Sequence, residues 1–443
     1  MEKRDELWPR GPCFYYDTAL FPPGTDSFCL AYFARPSRGD TVCDLGSGIG
    51  LLGTLLLARQ ESLFIENVEL SAPAAALARK TFAENGWADR AAFREGDLRD
   101  VSVLPKAGSV DYVISNPPYF PAGSGDLLGA QFAAADELGI RMYASRGSMD
   151  LSKKDGGLPP DSVVQTVDEI LRDSVHAIEA YHDASYGAMH RVALAPCSPF
   201  SVSADLLRES AKLARQYGVR LHTHLCETKD EENFMLAREG VRPLAYMERL
   251  GWIGNDVWFA HGIHFNDEEL RLLAQTGTGV AHCPISNMKL ASGVARIPEM
   301  LELGVPVGLA VDGSASNDGS SLLEELRAAF LLHRLTSSRR APTGYDVLKM
   351  ATRGSARLLG RDDIGQLAEG KCADLFMIDA RRLELVGCGC GVGDLLGTVG
   401  VRGPVDYTIV HGRVTVEDGR LTTVDEEQLA REAEAKCRAY LAM

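Results

Sequence analysis

The chain has 443 residues, a formal net charge of −15 at pH 7, and 45% hydrophobic and 24% charged residues. A chain of this length is expected to build two or more hydrophobic cores, and its composition is that of a folded protein rather than a disordered one. The acidic balance argues against a broad nucleic-acid surface, because such binding needs clustered Lys and Arg. A small-molecule substrate is therefore favoured.

Neither a membrane anchor nor secretion is expected. No segment approaches the roughly 18 uncharged apolar residues of a membrane span, and no apolar segment follows the charged residues 1–6. The ten cysteines are scattered apart from Cys388 and Cys390, which predicts reduced thiols rather than a disulfide framework or a zinc knuckle. These features predict a cytoplasmic protein.

The first predicted unit is a strand, a glycine turn and a helix. Residues 40–45 form a short apolar strand that contains Asp44, the run Gly46-Ser47-Gly48-Ile49-Gly50 forms a tight turn, and residues 51–59 are predicted to be helical. Glycines let the backbone approach a ligand, and the N–H groups that open a helix favour electron-rich groups. A glycine loop alone is more often only a turn, so the downstream residues matter.

Acidic residues follow at the ends of the next predicted strands. Glu69 ends one strand, where a carboxylate can accept ribose hydroxyls, and Asp97 ends another. A fourth strand at residues 110–115 runs into Asn116-Pro117-Pro118-Tyr119. The two prolines fix the backbone so that the Asn side chain and the first Pro carbonyl can accept from an amino group, while the Tyr ring stacks on a planar amine.

Together these motifs resemble the Rossmann-like S-adenosylmethionine-dependent methyltransferases, in particular the tRNA adenine-N6 type. The resemblance implies a set of residues that bind S-adenosylmethionine: Asp44, Gly46, Gly48, Glu69 and Asp97. It assigns the methyl-transfer site to Asn116, Pro117, Pro118 and Tyr119, with tRNA as a partner through this part only. The family's sheet normally continues past this tetrad, whereas no further strand is predicted here, so residues 1–123 are expected to be a methyltransferase fragment.

From about residue 126 onward, helices alternate with short apolar strands, which is typical of a parallel α/β barrel. The predicted strands cover residues 139–148, 190–195, 220–226, 256–260, 278–282 and 305–311. Predicted helices between them include residues 160–180, 204–217 and 230–239. Six strands are two fewer than a closed barrel needs.

Polar side chains lie at the ends of these strands. The run His222-Thr223-His224 ends one strand, with Glu227 three residues later, while His261 and Asp312 end two others. Because the active groups of such barrels emerge at this rim, imidazoles and carboxylates can converge on one cation, and nitrogen ligands favour zinc. Each residue also has a structural alternative, such as a hydrogen-bonded core histidine or an Asx turn, and His222 is expected to support the site rather than bind metal.

The segments HTHLCET, FAHG, AHCPISNMKLASG and VDGSASND resemble the amidohydrolase superfamily, specifically its branch of 8-oxoguanine deaminases and hydroxyatrazine-type aminohydrolases. The resemblance implies Zn²⁺ ligands at His224 and Asp312, a proton shuttle at Glu227, and a group at His261 that polarises the attacking water; Asp312 also takes the proton of that water. The implied substrate-binding residues are Cys197, Ser198, His282 and Asn287, although the loop around Cys197 fits a simple turn equally well.

One departure weakens the predicted metal site. In this family the first barrel strand carries another HxH motif that supplies two metal ligands, and no such motif precedes residue 126 here. With two of four ligands missing, weak metal binding is expected. The predicted function is a zinc-dependent hydrolytic deaminase of a purine-like or triazine-like amino heterocycle, fused to a methyltransferase fragment. The alternatives are an S-adenosylmethionine-dependent adenine-N6 methyltransferase and an inactive chimera.

The predicted fold class is α/β, with a Rossmann-like fragment followed by an incomplete (β/α)8 barrel and a small C-terminal β-segment. The predicted domains are the methyltransferase fragment at 1–123, barrel strands 3–8 at 124–364, a β-cap at 365–420 and a terminal helix at 421–443. Uncovered strand edges favour association, so a homo-oligomer is also predicted.

Overall fold

The structure is a computed structural model that describes residues 2–17, 25–96, 101–106, 108–115, 127–386, 391–401 and 403–441. The chain divides into two compact units: unit 1 is Met1–Phe120 with Glu427–Met443, and unit 2 is Pro121–Glu426. None of the helices in the described ranges combines the length and the apolar character that a bilayer crossing requires.

Unit 1 is built around a parallel sheet. Its elements up to the sixth strand are β1 (Glu2–Glu6), β2 (Cys13–Asp17), α1 (Thr25–Phe33), β3 (Thr41–Leu45), α2 (Leu51–Arg59), β4 (Phe64–Glu69), α3 (Ala72–Glu84), β5 (Ala91–Glu95) and β6 (Tyr112–Ser115). The sheet has the order β5-β4-β3-β6 with parallel pairing throughout, and β1 pairs with β2 as an antiparallel hairpin. The predicted alternation of strands and helices is confirmed.

At Gly50, the last glycine of the turn between β3 and α2, both the backbone and the packing require glycine. Gly50 has φ 74°, and a Cβ placed there would lie 3.0 Å from both Ala78 Cβ and Phe82 Cε2. A larger residue would meet both the backbone strain and these two side chains. The close packing of α2 on α3 therefore depends on this glycine.

Unit 2 alternates helices and strands along its length. The elements of its main layer are α4 (Leu127–Leu138), β7 (Met142–Ser148), α5 (Val167–Tyr181), β8 (His190–Pro196), α6 (Ala204–Tyr217), β9 (Arg220–Leu225), α7 (Lys229–Glu239), α8 (Pro243–Arg249), β10 (Val257–His261), α9 (Asp267–Thr276), β11 (Gly279–His282), α10 (Pro284–Lys289), α11 (Ile297–Leu303), β12 (Val307–Leu309), α12 (Ser314–Asn317), α13 (Leu322–Ser337), α14 (Gly344–Lys349) and α15 (Ser355–Leu358). All six predicted strands are present.

Six parallel strands of unit 2 form one sheet in the sequential order β12-β11-β10-β9-β8-β7. Both faces are buried: Phe259 and Val280 pack with the surrounding helices, whereas their neighbours Trp258 and Ala281 pack against Leu358 of α15. Within the described ranges this sheet contains no seventh or eighth strand that closes it. The α/β fold class is confirmed, and over these residues the barrel is open.

Helix α5 begins later than the sequence predicts. Thr166 accepts a hydrogen bond from the Glu169 N–H, and the Glu169 side chain accepts one from the Thr166 N–H, which together form a capping box. This reciprocal cap satisfies free N–H groups and starts the helix at Val167, not at residue 160. Residues 160–166 therefore belong to the connection between β7 and α5.

A small antiparallel sheet follows the main layer. Its elements are β13 (Leu375–Met377), α16 (Val392–Thr398), β14 (Tyr407–Val410), β15 (Arg413–Glu417) and β16 (Arg420–Leu421), and the chain continues into α17 (Glu426–Leu441). The strand order is β13-β14-β15-β16. Within unit 2, Arg141 donates to Asp374 at 2.5 Å, and the backbone N–H of His411 donates to the same carboxylate at 2.7 Å. A partly buried ion pair thus joins the small sheet to the start of β7.

Candidate metal centre and active site

Strand β9 directs two imidazoles to one face. Leu221, Thr223 and Leu225 are buried on one side of the strand, and His222 and His224 share the other side. The next strand, β10, pairs in parallel and ends at His261. Asp312 follows β12, so the polar residues predicted at the strand ends lie on the same rim of the sheet.

Three of these residues form a compact donor group. His224, His261 and Asp312 each offer one ligand atom, and these atoms lie within 4.8 Å of one another. His261 Nε2 lies 4.0 Å from Asp312 Oδ2 and 3.7 Å from Glu227 Oε2. The structure therefore brings together the four residues that the sequence analysis selected at this rim.

Backbone and side-chain carbonyls orient both imidazoles. His224 Nδ1 donates to the Cys197 carbonyl at 2.6 Å, and His261 Nδ1 donates to Asn287 Oδ1 at 2.9 Å. With Nδ1 carrying the hydrogen, Nε2 is the atom available to a metal. Burial alone lowers the pKa of His224, but its contacts with Cys197 outweigh burial and raise that pKa to about 9. A metal ion would therefore displace a proton from Nε2 of His224.

Asp312 is held ionised by hydrogen bonds. Its Oδ2 accepts from Ser286 Oγ at 2.6 Å and from Ser316 Oγ at 2.9 Å, and its Oδ1 accepts from the Gly313 N–H at 2.7 Å. Burial alone would raise the pKa of this carboxyl, but the three donors outweigh burial and lower it. The carboxylate is thus charged at neutral pH, as a metal ligand or a proton acceptor must be.

Glu227 lies on a turn held by a second acid. Ser292 Oγ donates to Glu227 Oε1 at 3.1 Å. The N–H groups of Cys226 and Glu227 donate to the two carboxylate oxygens of Glu231 at 2.9 and 3.0 Å. Burial raises the pKa of Glu231 to about 7. Cys226 has a left-handed φ of 53°, and these two hydrogen bonds stabilise that turn.

The remaining sequence candidates take different positions. His222 lies outside the donor group, stacks on Trp258 and has a pKa lowered to about 3, first by burial. Ser198 Oγ contacts Ser201 Oγ at 3.3 Å. His282 and Asn287 are fully buried. The substrate-binding roles of Cys197, Ser198, His282 and Asn287 stay predictions.

Comparison with known proteins decides the family of this fold and site. Residues 110–415 match the model described as the Amidohydrolase family. The chain belongs to the amidohydrolase family. The resemblance carried by the HTHLCET and VDGSASND segments is confirmed.

Known proteins similar to this chain include two from Pseudomonas. The 8-oxoguanine deaminase of Pseudomonas aeruginosa is 46% identical, with 73% of this chain and 72% of that protein covered. The hydroxydechloroatrazine ethylaminohydrolase of Pseudomonas sp. strain ADP is 43% identical, with 73% and 67% covered. A solved structure of atrazine chlorohydrolase from Arthrobacter aurescens TC1, complexed with zinc, has a TM-score of 0.70 and 31% identity and covers 84% of this chain and 82% of its own.

Several residues around the candidate site of this amidohydrolase were not assigned from the sequence. They are Glu231, Ser286, Ser292, Ser316, Glu325 and His333. Ser286 and Ser292 lie inside the quoted segment AHCPISNMKLASG, so their nearness in sequence to Asn287 was a usable signal. Glu231 lies on α7, and Glu325 and His333 lie on α13, outside the quoted motifs, so only the three-dimensional contacts reveal them.

A buried histidine pair in this amidohydrolase predicts acid sensitivity. His282 Nε2 and His333 Nε2 lie 3.1 Å apart, and both side chains are fully buried. Burial lowers the pKa of His333 to about 4 and that of His282 well below its usual value. The pKa values of both histidines lie below that of histidine in the unfolded chain. The unfolded chain therefore binds protons first as pH falls, and the free energy of unfolding is highest above about pH 6.5 and decreases toward pH 4.

We therefore expect the unfolding free energy of the protein to fall between about pH 6.5 and pH 4 by on the order of 3 kcal/mol for His333 alone. Urea unfolding followed by tryptophan fluorescence measures this change, since Trp252 is fully buried in unit 2. His333→Gln should flatten the slope, and His176→Gln, at an exposed histidine, should leave it unchanged. Equal slopes in the two variants would contradict the assignment to the buried pair.

Unit 1 carries its own group of candidate residues. Asp44 is fully buried, and neither of its carboxylate oxygens has a hydrogen-bond partner among the described residues. Burial raises the pKa of Asp44 to about 7. Glu69 accepts from the Gly48 N–H at 2.7 Å, and a Cβ added to Gly46 or Gly48 would meet nothing within 4 Å. The glycine loop is therefore open on its outer side.

The other predicted cofactor and methyl-transfer residues lie outside the described residues: Asp97, Asn116, Pro117, Pro118 and Tyr119. Residues 24–137 match the model described as Methyltransferase small domain. The methyltransferase resemblance of the first part of the chain is confirmed. The amidohydrolase is thus preceded by a methyltransferase small domain in one polypeptide.

Proposed function

We propose that unit 2 is a metal-dependent hydrolytic deaminase acting on an amino-substituted nitrogen heterocycle of the purine or triazine class. The observation that carries the proposal is the convergence of His224, His261 and Asp312 within 4.8 Å, with the Glu227 carboxylate 3.7 Å from His261. The names of the similar 8-oxoguanine deaminase and hydroxydechloroatrazine ethylaminohydrolase support this substrate class.

The donor set fits zinc. Two imidazoles with tethered Nδ1 atoms and one ionised carboxylate are the ligand types that zinc prefers, and catalytic zinc sites use three protein ligands and one open position. In this proposal His261 is a direct ligand together with His224 and Asp312, which differs from the water-polarising role that the resemblance implies. The HxH pair that the family carries on its first barrel strand is absent from the sequence before residue 126, so weaker binding than that of a four-ligand site is expected.

The chain's residues can move the protons that deamination requires. Zinc, when bound, supplies a water molecule with a pKa lowered toward neutrality. Asp312 accepts a proton from the attacking water, and Glu227, oriented by Ser292, delivers a proton to the ring nitrogen beside the amino-bearing carbon. The water oxygen bonds to that carbon as its double bond to the ring nitrogen opens. Asp312 then passes the proton it accepted to the amino nitrogen, the carbon–nitrogen bond breaks and ammonia leaves, and the remaining hydroxyl proton returns to Glu227 as the carbonyl forms.

The proposal is tested by zinc titration and ammonia release on the purified full chain. We expect one zinc per chain and zinc-dependent ammonia release from an aminopurine or an aminotriazine, with the carbonyl product labelled when the reaction runs in ¹⁸O-water. Bound zinc with no ammonia from either class would reject the deaminase and leave the metal site intact. Absence of zinc binding at millimolar zinc would reject both the metal site and the deaminase.

Unit 1 favours a second function through Asp44. A fully buried carboxyl without a partner among the described residues, next to an open glycine loop, fits a site completed by a ligand such as S-adenosylmethionine. Titration calorimetry should detect this binding, and Asp44→Asn and Glu69→Gln should each weaken it about ten-fold or more. Lack of heat, or wild-type affinity in both variants, would contradict it. A tRNA substrate for this unit and self-association of the chain stay predictions from the sequence.

A further inference from the structure

Helix α10 brings two consecutive residues to the metal-site side chains. Ser286 and Asn287 are both fully buried. Ser286 Oγ donates to Asp312 Oδ2 at 2.6 Å, and Asn287 Oδ1 accepts from His261 Nδ1 at 2.9 Å. The helix starts directly after β11 with Pro284 at its first position, which sets the direction of its first turn.

The His261 ring lies where the strand geometry ends, and one hydrogen bond orients its Nδ1 atom. His261 ends β10 with a left-handed φ of 68°, where the regular strand geometry is lost. The side chain is about 2% exposed, so water cannot easily satisfy Nδ1. Asn287 Oδ1 is the acceptor that lies against this atom. Loss of the acceptor would leave a buried N–H without a partner or let the ring rotate.

Only one half of the Asn287 amide is used in this way. Its Nδ2 atom is buried and has no hydrogen-bond partner among the described residues. The side chain itself is 1% exposed, so in this arrangement it is shielded from a substrate in the site. The burial of Asn287 and its hydrogen bond to His261 therefore indicate a supporting contact rather than the substrate-binding role predicted from the sequence.

We propose that Asn287 is a positioning residue whose side-chain oxygen holds the His261 ring in the Nδ1–H tautomer that directs Nε2 toward Asp312 and Glu227. The inference rests on the proposed function for the role of His261. It predicts that an acceptor at position 287 is required, whereas a donor is not. Asn287→Asp keeps an acceptor of the same shape, and Asn287→Leu keeps the approximate size and removes it.

The direct test is ¹⁵N NMR of histidine-labelled full chain, with and without zinc, and with His261→Gln used to assign the signal. We expect an exchange-protected Nδ1–H resonance of His261 in the wild type and in Asn287→Asp, and its loss in Asn287→Leu. Zinc affinity should fall about 10- to 100-fold in Asn287→Leu and stay near the wild-type value in Asn287→Asp. Met288→Leu, at an exposed position of the same helix, is the control.

An Asn287→Leu protein with the protected resonance and wild-type zinc affinity would overturn the inference, as would a variant that changes only KM. If Asn287→Leu does not fold, Asn287→Ala provides the same comparison with less steric change. The NMR measurement needs neither substrate nor turnover. The expected resonance pattern in a protein that releases no ammonia would therefore contradict the proposed function and support the role of Asn287.

Discussion

Replacing Asp312 by Asn is expected to lower zinc affinity by more than about 100-fold, because loss of a direct ligand exceeds the 10- to 100-fold effect of losing its supporting contacts. Asn keeps the size of the side chain but not the negative charge that Ser286, Ser316 and the Gly313 N–H stabilise. Ammonia release should disappear with the metal, since the same carboxylate takes the proton of the attacking water. Titration with a zinc-sensitive dye measures the affinity.

Asp318→Asn is the matched control. Asp312 and Asp318 have nearly the same left-handed backbone, with φ 67° and 68°, and Asn tolerates this region well. Asp318 is exposed and pairs with Lys289 at 2.6 Å, away from the donor group. Substitution of Asp318 should leave the zinc affinity within about two-fold of the wild-type value, since a surface ion pair contributes little to stability. Unchanged zinc affinity in Asp312→Asn would remove this residue from the metal site.

Replacing Glu325 by Ala is expected to destabilise the protein by about 2–5 kcal/mol, because it leaves two donors without their acceptor. Glu325 is fully buried on α13, and its carboxylate accepts from the Ile285 N–H at 3.1 Å and from Asn317 Nδ2 at 2.6 Å. Ile285 starts the turn that carries Ser286, and Asn317 ends the turn that follows Asp312. Zinc affinity should therefore fall together with stability.

Urea unfolding measures the stability change, and Glu324→Ala is the control one residue earlier on the same helix. Glu324 is exposed, so its removal should change the unfolding free energy by less than about 0.5 kcal/mol. Glu325→Gln keeps the size of the side chain and one acceptor oxygen, so its unfolding free energy should lie between those of Glu324→Ala and Glu325→Ala. Equal stability of Glu324→Ala and Glu325→Ala would show that the buried carboxylate does not hold these two turns.

Much of the fold could be predicted from the sequence, since strand and helix periodicities are local. The helix predicted at residues 204–217 has these bounds, and β9 and β10 end within one residue of the predicted ends. The prediction for α5 was wrong at its start. A proline-containing segment and the Thr166 cap set that boundary, and a hydrophobic pattern does not detect a cap.

The candidate site could be predicted only in part. His224 and His261 lie in the last residues of β9 and β10, and Glu227 and Asp312 follow strands. Parallel strands end at one rim, so the convergence of these residues was expected. The contact of Asn287 with His261 joins positions 26 residues apart and depends on the direction of α10. The sequence motif predicts that Asn287 binds substrate, whereas its burial and its hydrogen bond to His261 indicate a supporting contact.

The sequence by itself determined the α/β class, the two family resemblances and the set of polar strand ends, because strand period, glycine turns and motif spacing are written in neighbouring residues. The tertiary structure alone decided which donors meet and what holds them. Distances among His224, His261 and Asp312, and the buried acceptors at Asn287 and Glu325, arise from packing between segments far apart in the chain. Such packing depends on the shape and burial of all its members together, and no local pattern encodes it.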